Sequence, residues 1–134
     1  MHDVAQEPIE LILFRHLAEH LAVPIFEVDA DGNLVFFNEA AEELLGTRYD
    51  DVGEMSLAEW TAGFAPRDAA GRPMTADELP PLVALRDGRP VHVTMVITGR
   101  DGVHREIGVT AFPLTAGNGQ QLGAVGMFWE APGR

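Results

Sequence analysis

At 134 residues the chain fits one domain and hardly two. It carries 21 acidic residues against nine basic ones, all arginine, for a net charge of −12. That balance excludes a broad binding face for the phosphate backbone of nucleic acid or for an anionic membrane. The absence of cysteine excludes disulfides, thiolate metal sites, cysteine nucleophiles and sulfur-attached cofactors.

The acidic start MHDVAQEP lacks the basic region of a secretory signal. The longest apolar runs, such as LILF, fall far short of the ~18 residues of a membrane span. The expectation is a soluble, cytoplasmic protein with no nucleic-acid or membrane partner.

Residues 8–22, PIELILFRHLAEHLA, predict a helix with Pro8 as its first residue. At about 100° per residue, Ile9, Leu11, Leu13, Phe14, Leu17, Ala18, Leu21 and Ala22 spread over an apolar arc of roughly 220°. Arg15, His16, Glu19 and His20 are assigned to the opposite, polar face. So broad an arc exceeds one packing contact. One side is expected to cover the outer face of a sheet, including Val96 and one face of 122–129. The other side is expected to meet a second copy of the chain.

IFEVD (25–29) alternates as a strand, Asp31-Gly32-Asn33 supplies a hairpin turn, and LVFF (34–37) returns. Asn38 is placed to cap a helix through AAEELL, with Glu39, Glu42 and Glu43 near its positive end and Gly46 ending it. LAEWTAGF (57–64) predicts a short helix. Thr75 or Asp77 is expected to cap a further helix through Leu79, Leu82, Val83 and Leu85, with Pro80 and Pro81 in its first turn and Gly88 as its stop. Three strands follow, PVHVTMVIT (90–98), HREIGVTAFPL (104–114) and LGAVGMFWE (122–130), joined by GRDG and TAGNGQQ. In the first of them Val91, Val93, Met95 and Ile97 share one face. Gly123 and Gly126 are expected to allow close backbone approach in the last. This order predicts an α+β domain with an antiparallel sheet covered mainly on one face.

The hairpin VDADGNLVFFN, the helix AAEELLG opened by asparagine, the segment ELPPLVALRDGRPV and the strands GRDGVHREIGVTAFPL and LGAVGMFW resemble, in this order and spacing, the PAS family of sensor domains. The resemblance covers about 24–130. It divides the chain into a flanking amphipathic helix (1–23), a PAS-like domain (24–130) and a tail (131–134). It implies a five-stranded antiparallel sheet of order 2-1-5-4-3, with helices enclosing a small pocket on one face. It also implies a signal-sensing or protein-interaction role without enzymatic activity, a homodimer, and output through a signalling partner or a further domain. No kinase, cyclase or DNA-binding segment fits in 134 residues.

Apolar alternation and helical spacing nominate Phe26, Val28, Phe36, Leu45, Trp60, Leu82, Leu85, Val93 and Met95 to line a pocket for a small apolar ligand. The identity of any cofactor stays open. Haem sensors of this family draw an axial histidine from the longer helix, and TADELPPLVALRDG has none. Flavin would have to bind without a cysteine adduct, with Trp60 and Trp129 available to stack. His16 and His20 have the i, i+4 spacing of a metal chelate but no acidic third ligand one turn on, and read as a solvated face. His92 and His104 are candidates for a cross-strand pair. Ser56 lies in no nucleophile motif, and the carboxylates Glu39, Glu42, Glu43, Asp29, Asp31, Asp50 and Asp51 form no marked dyad. A small cone-shaped α+β enzyme of the isomerase kind is the alternative, and it would need an acid or base facing inward.

Overall fold

A computed structural model describes residues 8–131. The leading segment 1–7 and the tail 132–134 lie outside the described residues. The elements run α1 (Ile9–Ala18), β1 (Ile25–Val28), β2 (Leu34–Phe37), α2 (Glu39–Leu45), α3 (Tyr49–Val52), α4 (Leu57–Phe64), α5 (Pro80–Asp87), β3 (Val91–Thr98), β4 (His104–Thr115) and β5 (Gln121–Glu130). The strands form one antiparallel sheet in the order β2-β1-β5-β4-β3, as the resemblance implied.

Helices α2 to α5 cover the inner face of the sheet and enclose the main core. Helix α1 covers part of the outer face. There Phe14 and Ala18 pack against Ile25, Phe36, Phe112, Leu114, Val125 and Met127. Val96, expected beneath the same helix, is not in this cluster. It sits on edge strand β3 and exchanges backbone hydrogen bonds with Arg67.

Local chemistry explains most boundaries. Asp29 organises the first hairpin: its carboxylate accepts from the amides of Asp31 and Asn33 and from the Asn33 side chain. Gly32 takes the left-handed backbone at φ 89° that the turn requires. Asn38 caps α2 as expected, and Gly46 at φ 70° ends it. Ser56 caps α4 through a reciprocal box, accepting from the Glu59 amide while the Glu59 carboxylate accepts from the Ser56 amide. Ser56→Ala should lower stability by about 1 kcal/mol, read as a lower urea midpoint at unchanged slope.

Three boundaries differ from the sequence expectation. Helix α1 ends at Ala18 rather than Ala22, and Pro8 stands just before the helix with ψ 143° instead of inside it. Helix α5 starts at Pro80, not near Thr75. The ring of Pro80 holds Leu79 extended at ψ 132°, which splits the segment into a 3₁₀ turn (Ala76–Glu78) and the helix proper. The short helix α3 lies between Gly46 and Leu57, where the sequence signals named no element.

Arg105 of β4 ties α2 to the β3–β4 turn. Arg105 donates to the Asp101 carboxylate at 3.0 Å and to the Leu44 carbonyl at 2.9 Å. The Arg105 hydrogen bond holds the Asp101 carboxyl below the usual carboxylate range. A depressed folded pKa stabilises above the unfolded value and ceases to do so as pH falls through the folded one. The stability gap between wild type and Arg105→Asn should therefore narrow below about pH 4, measured by denaturant midpoints across a pH series.

Candidate functional site

The inner face of the sheet and the helices over it leave a chamber of about 60 Å³. Phe26 and Val28 of β1, Leu34 of β2, Met95 and Ile97 of β3, Ile107 and Val109 of β4, and Phe128 of β5 form its floor. Leu45 of α2, Trp60 and Phe64 of α4, Pro66, and Leu79, Pro80 and Pro81 at the start of α5 form its walls. The one polar group among these side chains, the Trp60 indole N–H, donates to the Gly32 carbonyl at 2.8 Å. The lining thus offers dispersion contacts and no free side-chain hydrogen-bonding group.

Five of the nine nominated residues lie on this lining: Phe26, Val28, Leu45, Trp60 and Met95. Leu82, Leu85 and Val93 are half-buried and pack against the main core without lining the chamber. Helix α5 presents its fully buried Ala84 inward, and the two leucines flank that contact. Phe36 lies on the opposite face, under α1. Strict alternation would put Leu34 and Phe36 together, but the β1–β2 register pairs Glu27 with Phe36 and Val28 with Leu34, leaving Val35 as an extra residue. That irregularity turns Leu34 and Phe37 inward and Phe36 outward. Pattern reading missed Leu34, Phe64, Pro66, Leu79, Pro80, Pro81, Ile97, Ile107, Val109 and Phe128 as lining. Their strand alternation was a usable signal for Ile97, which shares the Met95 face.

Tyr49 seals the hairpin from the side. Its ring meets Phe37 edge-on at 5.1 Å, and its hydroxyl donates to the Val35 carbonyl at 2.6 Å. Burial, reinforced by the charge of Glu54, pushes the phenol above its ordinary value, so it remains a donor at neutral pH.

The outer face carries two groups that sequence reasoning placed elsewhere. Arg15, assigned to the polar face, turns toward the sheet and grips Glu27 of β1 with two nitrogens, at 2.9 and 3.3 Å. Glu27 is only 1% exposed. Meanwhile Ile9, Ile12, Leu13, Leu17 and Leu21 are exposed, Leu13 to 60%. Residues 9, 13, 16 and 20 follow the three-and-four spacing of one helical face. His16 and His20 therefore border this exposed apolar surface instead of opposing it.

His92 and His104 do not pair. The register sets His92 opposite Thr110 and His104 opposite Thr98, and each ring bonds to that threonine. His92 also stacks on Trp129 at 5.7 Å, over the outer face at Gly108. Trp129 is thus on the opposite side of the sheet from the chamber.

The family model described as PAS fold matches residues 12–60. The architecture agrees over nearly the whole chain with solved PAS structures. One is the PAS domain of BvgS from Bordetella pertussis, at 20% identity and a TM-score of 0.61, covering 93% of this chain and 88% of that one. Another is the PAS domain of nitrogen regulation protein NR(II) from Vibrio parahaemolyticus, at 18% identity and a TM-score of 0.65, covering 89% and 98%. The chain has the PAS fold. It is also similar to the light-state dimer of the fungal blue-light photoreceptor Vivid, at 14% identity and a TM-score of 0.63, covering 97% and 99%. No curated protein matches the sequence.

Within this PAS fold the lining residues do not fit haem or flavin. Haem needs an axial ligand; Met95 on the lining would serve only as partner to a histidine, and the described histidines, at 16, 20, 92 and 104, are all exposed and absent from the lining. A flavin ring needs partners for its polar edge, and the only polar side-chain group here is already bonded to Gly32. Among the described residues no helix is long and apolar enough to cross a membrane.

Proposed function

We propose that this PAS fold is a signal-sensing module that admits a small, uncharged, apolar ligand to its chamber and works as a homodimer through α1, passing its state to a signalling partner protein. The observation that carries this reading is the position of β1 between the two surfaces. Phe26 and Val28 face the chamber. Ile25 and Glu27, between and beside them, face α1 through Ala18 and Arg15. A ligand that displaces Phe26 acts on the strand that seats the helix. It shifts the population of seated and loosened α1 only as far as it binds the two states differently. The lining offers no group to hold or move a proton, which argues for a non-catalytic role and against the isomerase alternative.

The exposed apolar face of α1 supports the dimer, because a two-fold pairing covers both copies with one patch. The blue-light photoreceptor structure similar to this chain is itself described as a dimer. Sedimentation of the intact chain should show a dimer at micromolar concentration, and Leu13→Asp or Leu17→Asp should render it monomeric while the thermal midpoint changes little. A wild-type monomer at that concentration sinks the dimer half of the proposal.

The ligand half is tested by thermal unfolding with benzene-class and longer aliphatic probes. Binding to the folded state raises the midpoint with probe concentration. The chamber is well below the roughly 300 Å³ of an ordinary drug-sized site. That observation favours a second reading, a dimerising module whose interior is filled by its own side chains. No midpoint shift with any apolar probe, and an apo mass by native mass spectrometry, would select it.

A further inference from the structure

His16 and His20 stand one turn apart on the solvent-facing side of α1 and the turn that continues it. Their ring centres are 5.2 Å apart, with the planes tilted by 51°. The His20 ring is held: its Nδ1–H donates to the His16 carbonyl at 2.9 Å. A carbonyl only accepts, so this bond puts the proton on Nδ1 and leaves the Nε2 lone pair of His20 free. Metal-binding imidazoles are oriented in just this way, with one nitrogen donating to a carbonyl or carboxylate and the other on the ion. Both rings are exposed, so an ion reaches them without any movement of the core. The chain's net charge of −12 favours the approach of a cation.

We propose that His16 and His20 chelate a divalent transition-metal ion of the zinc, nickel and copper class. Imidazole nitrogens suit these ions and not magnesium or calcium, which prefer oxygen. Two ligands at helical spacing fill two positions of a tetrahedral ion at about 2.0–2.1 Å each. Among the described residues no group of three His, Cys, Asp or Glu side chains could hold a metal ion. Water fills the remaining positions in a single chain.

The chelate uses one chain only, so it stands or falls separately from the dimer. It does, however, border the apolar surface offered above as the dimer contact, and an ion there couples metal to assembly by linkage.

Isothermal titration of the full chain with zinc chloride tests the site, at a protein concentration where sedimentation shows monomer. Binding of one ion is expected, weakened on the order of a hundredfold in His16→Ala and in His20→Ala because each loses the chelate. His92→Ala and His104→Ala should titrate like wild type. Circular dichroism of His16→Ala and His20→Ala should be unchanged, which separates loss of a ligand from loss of the helix. Absence of zinc binding at 100-fold excess overturns the proposal. So does binding that survives His16→Ala or His20→Ala, or binding that appears only once the chain dimerises. If the chain proves monomeric at all concentrations, only the dimer reading fails, and zinc binding by monomer still supports the chelate.

Discussion

Asn38→Ala should cost about 3–5 kcal/mol of folding stability, well beyond the roughly 0.5–2 kcal/mol of an ordinary helix cap. The side chain is 2% exposed and uses both ends. Its oxygen accepts from the amides of Ala41 and Ile25, at 3.1 and 3.0 Å. Its nitrogen donates to the carbonyls of Ala18 and Val23, at 3.0 and 2.9 Å. One residue thereby joins the end of α1, the chain entering β1 and the first turn of α2. Alanine would leave the Ile25 amide and the Val23 carbonyl without these partners, while the Ala41 amide keeps the Asn38 carbonyl and the Ala18 carbonyl keeps the Leu21 amide. Each unmet buried group costs about 1–3 kcal/mol before relaxation, and the loss of the two further bonds adds to it. Asn38→Asp isolates half of the network: it keeps the acceptor and turns a carboxylate oxygen toward two carbonyls. It should also be severely destabilising, whereas a plain cap would tolerate aspartate. Urea midpoints of both variants beside Ser56→Ala decide the matter. Equal losses in Asn38→Ala and Ser56→Ala, or a neutral Asn38→Asp, would reduce Asn38 to a cap.

The second large effect concerns the pair on the outer face. Arg15→Met should destabilise by about 3 kcal/mol, because it leaves the Glu27 carboxylate buried beneath α1 without its guanidinium. The lower end of the usual range for a broken buried pair applies, since the Arg15 side chain keeps 25% of its surface in water. Replacing both partners, Arg15→Met with Glu27→Leu, should recover most of that loss, since neither charge then has to be desolvated. The coupling energy of this double-mutant cycle is the measurement. If the double variant is no more stable than Arg15→Met alone, the ion pair is not what seats the helix. In the signalling scheme proposed above, the recovered double variant should also hold α1 on the sheet without responding to a chamber ligand, as read by hydrogen exchange of the α1 amides.

These two sites mark the border between what was legible in the chain and what was not. Local chemistry wrote the hairpin at Asp29-Gly32-Asn33, the cap at Asn38, the stops at Gly46 and Gly88 and the inward face of Met95 and Ile97, because each depends on residues within a few positions. The order of elements, and with it the resemblance to PAS domains, followed from those signals. Composition alone determined the lack of cysteine chemistry and the strongly acidic balance.

Tertiary structure decided the rest. One residue skipped in the β1–β2 register sent Phe36 to the outer face, because a period of two reverses every side chain downstream of an extra residue. The α5 leucines yielded the inward position to Ala84 because Pro80, held after an extended Leu79, sets where that helix begins. The network of Asn38 and the burial of Arg15 on Glu27 join residues up to 20 positions apart. No local pattern carries such a contact: an asparagine that caps and one that also anchors a distant helix read alike until the chain has folded around them.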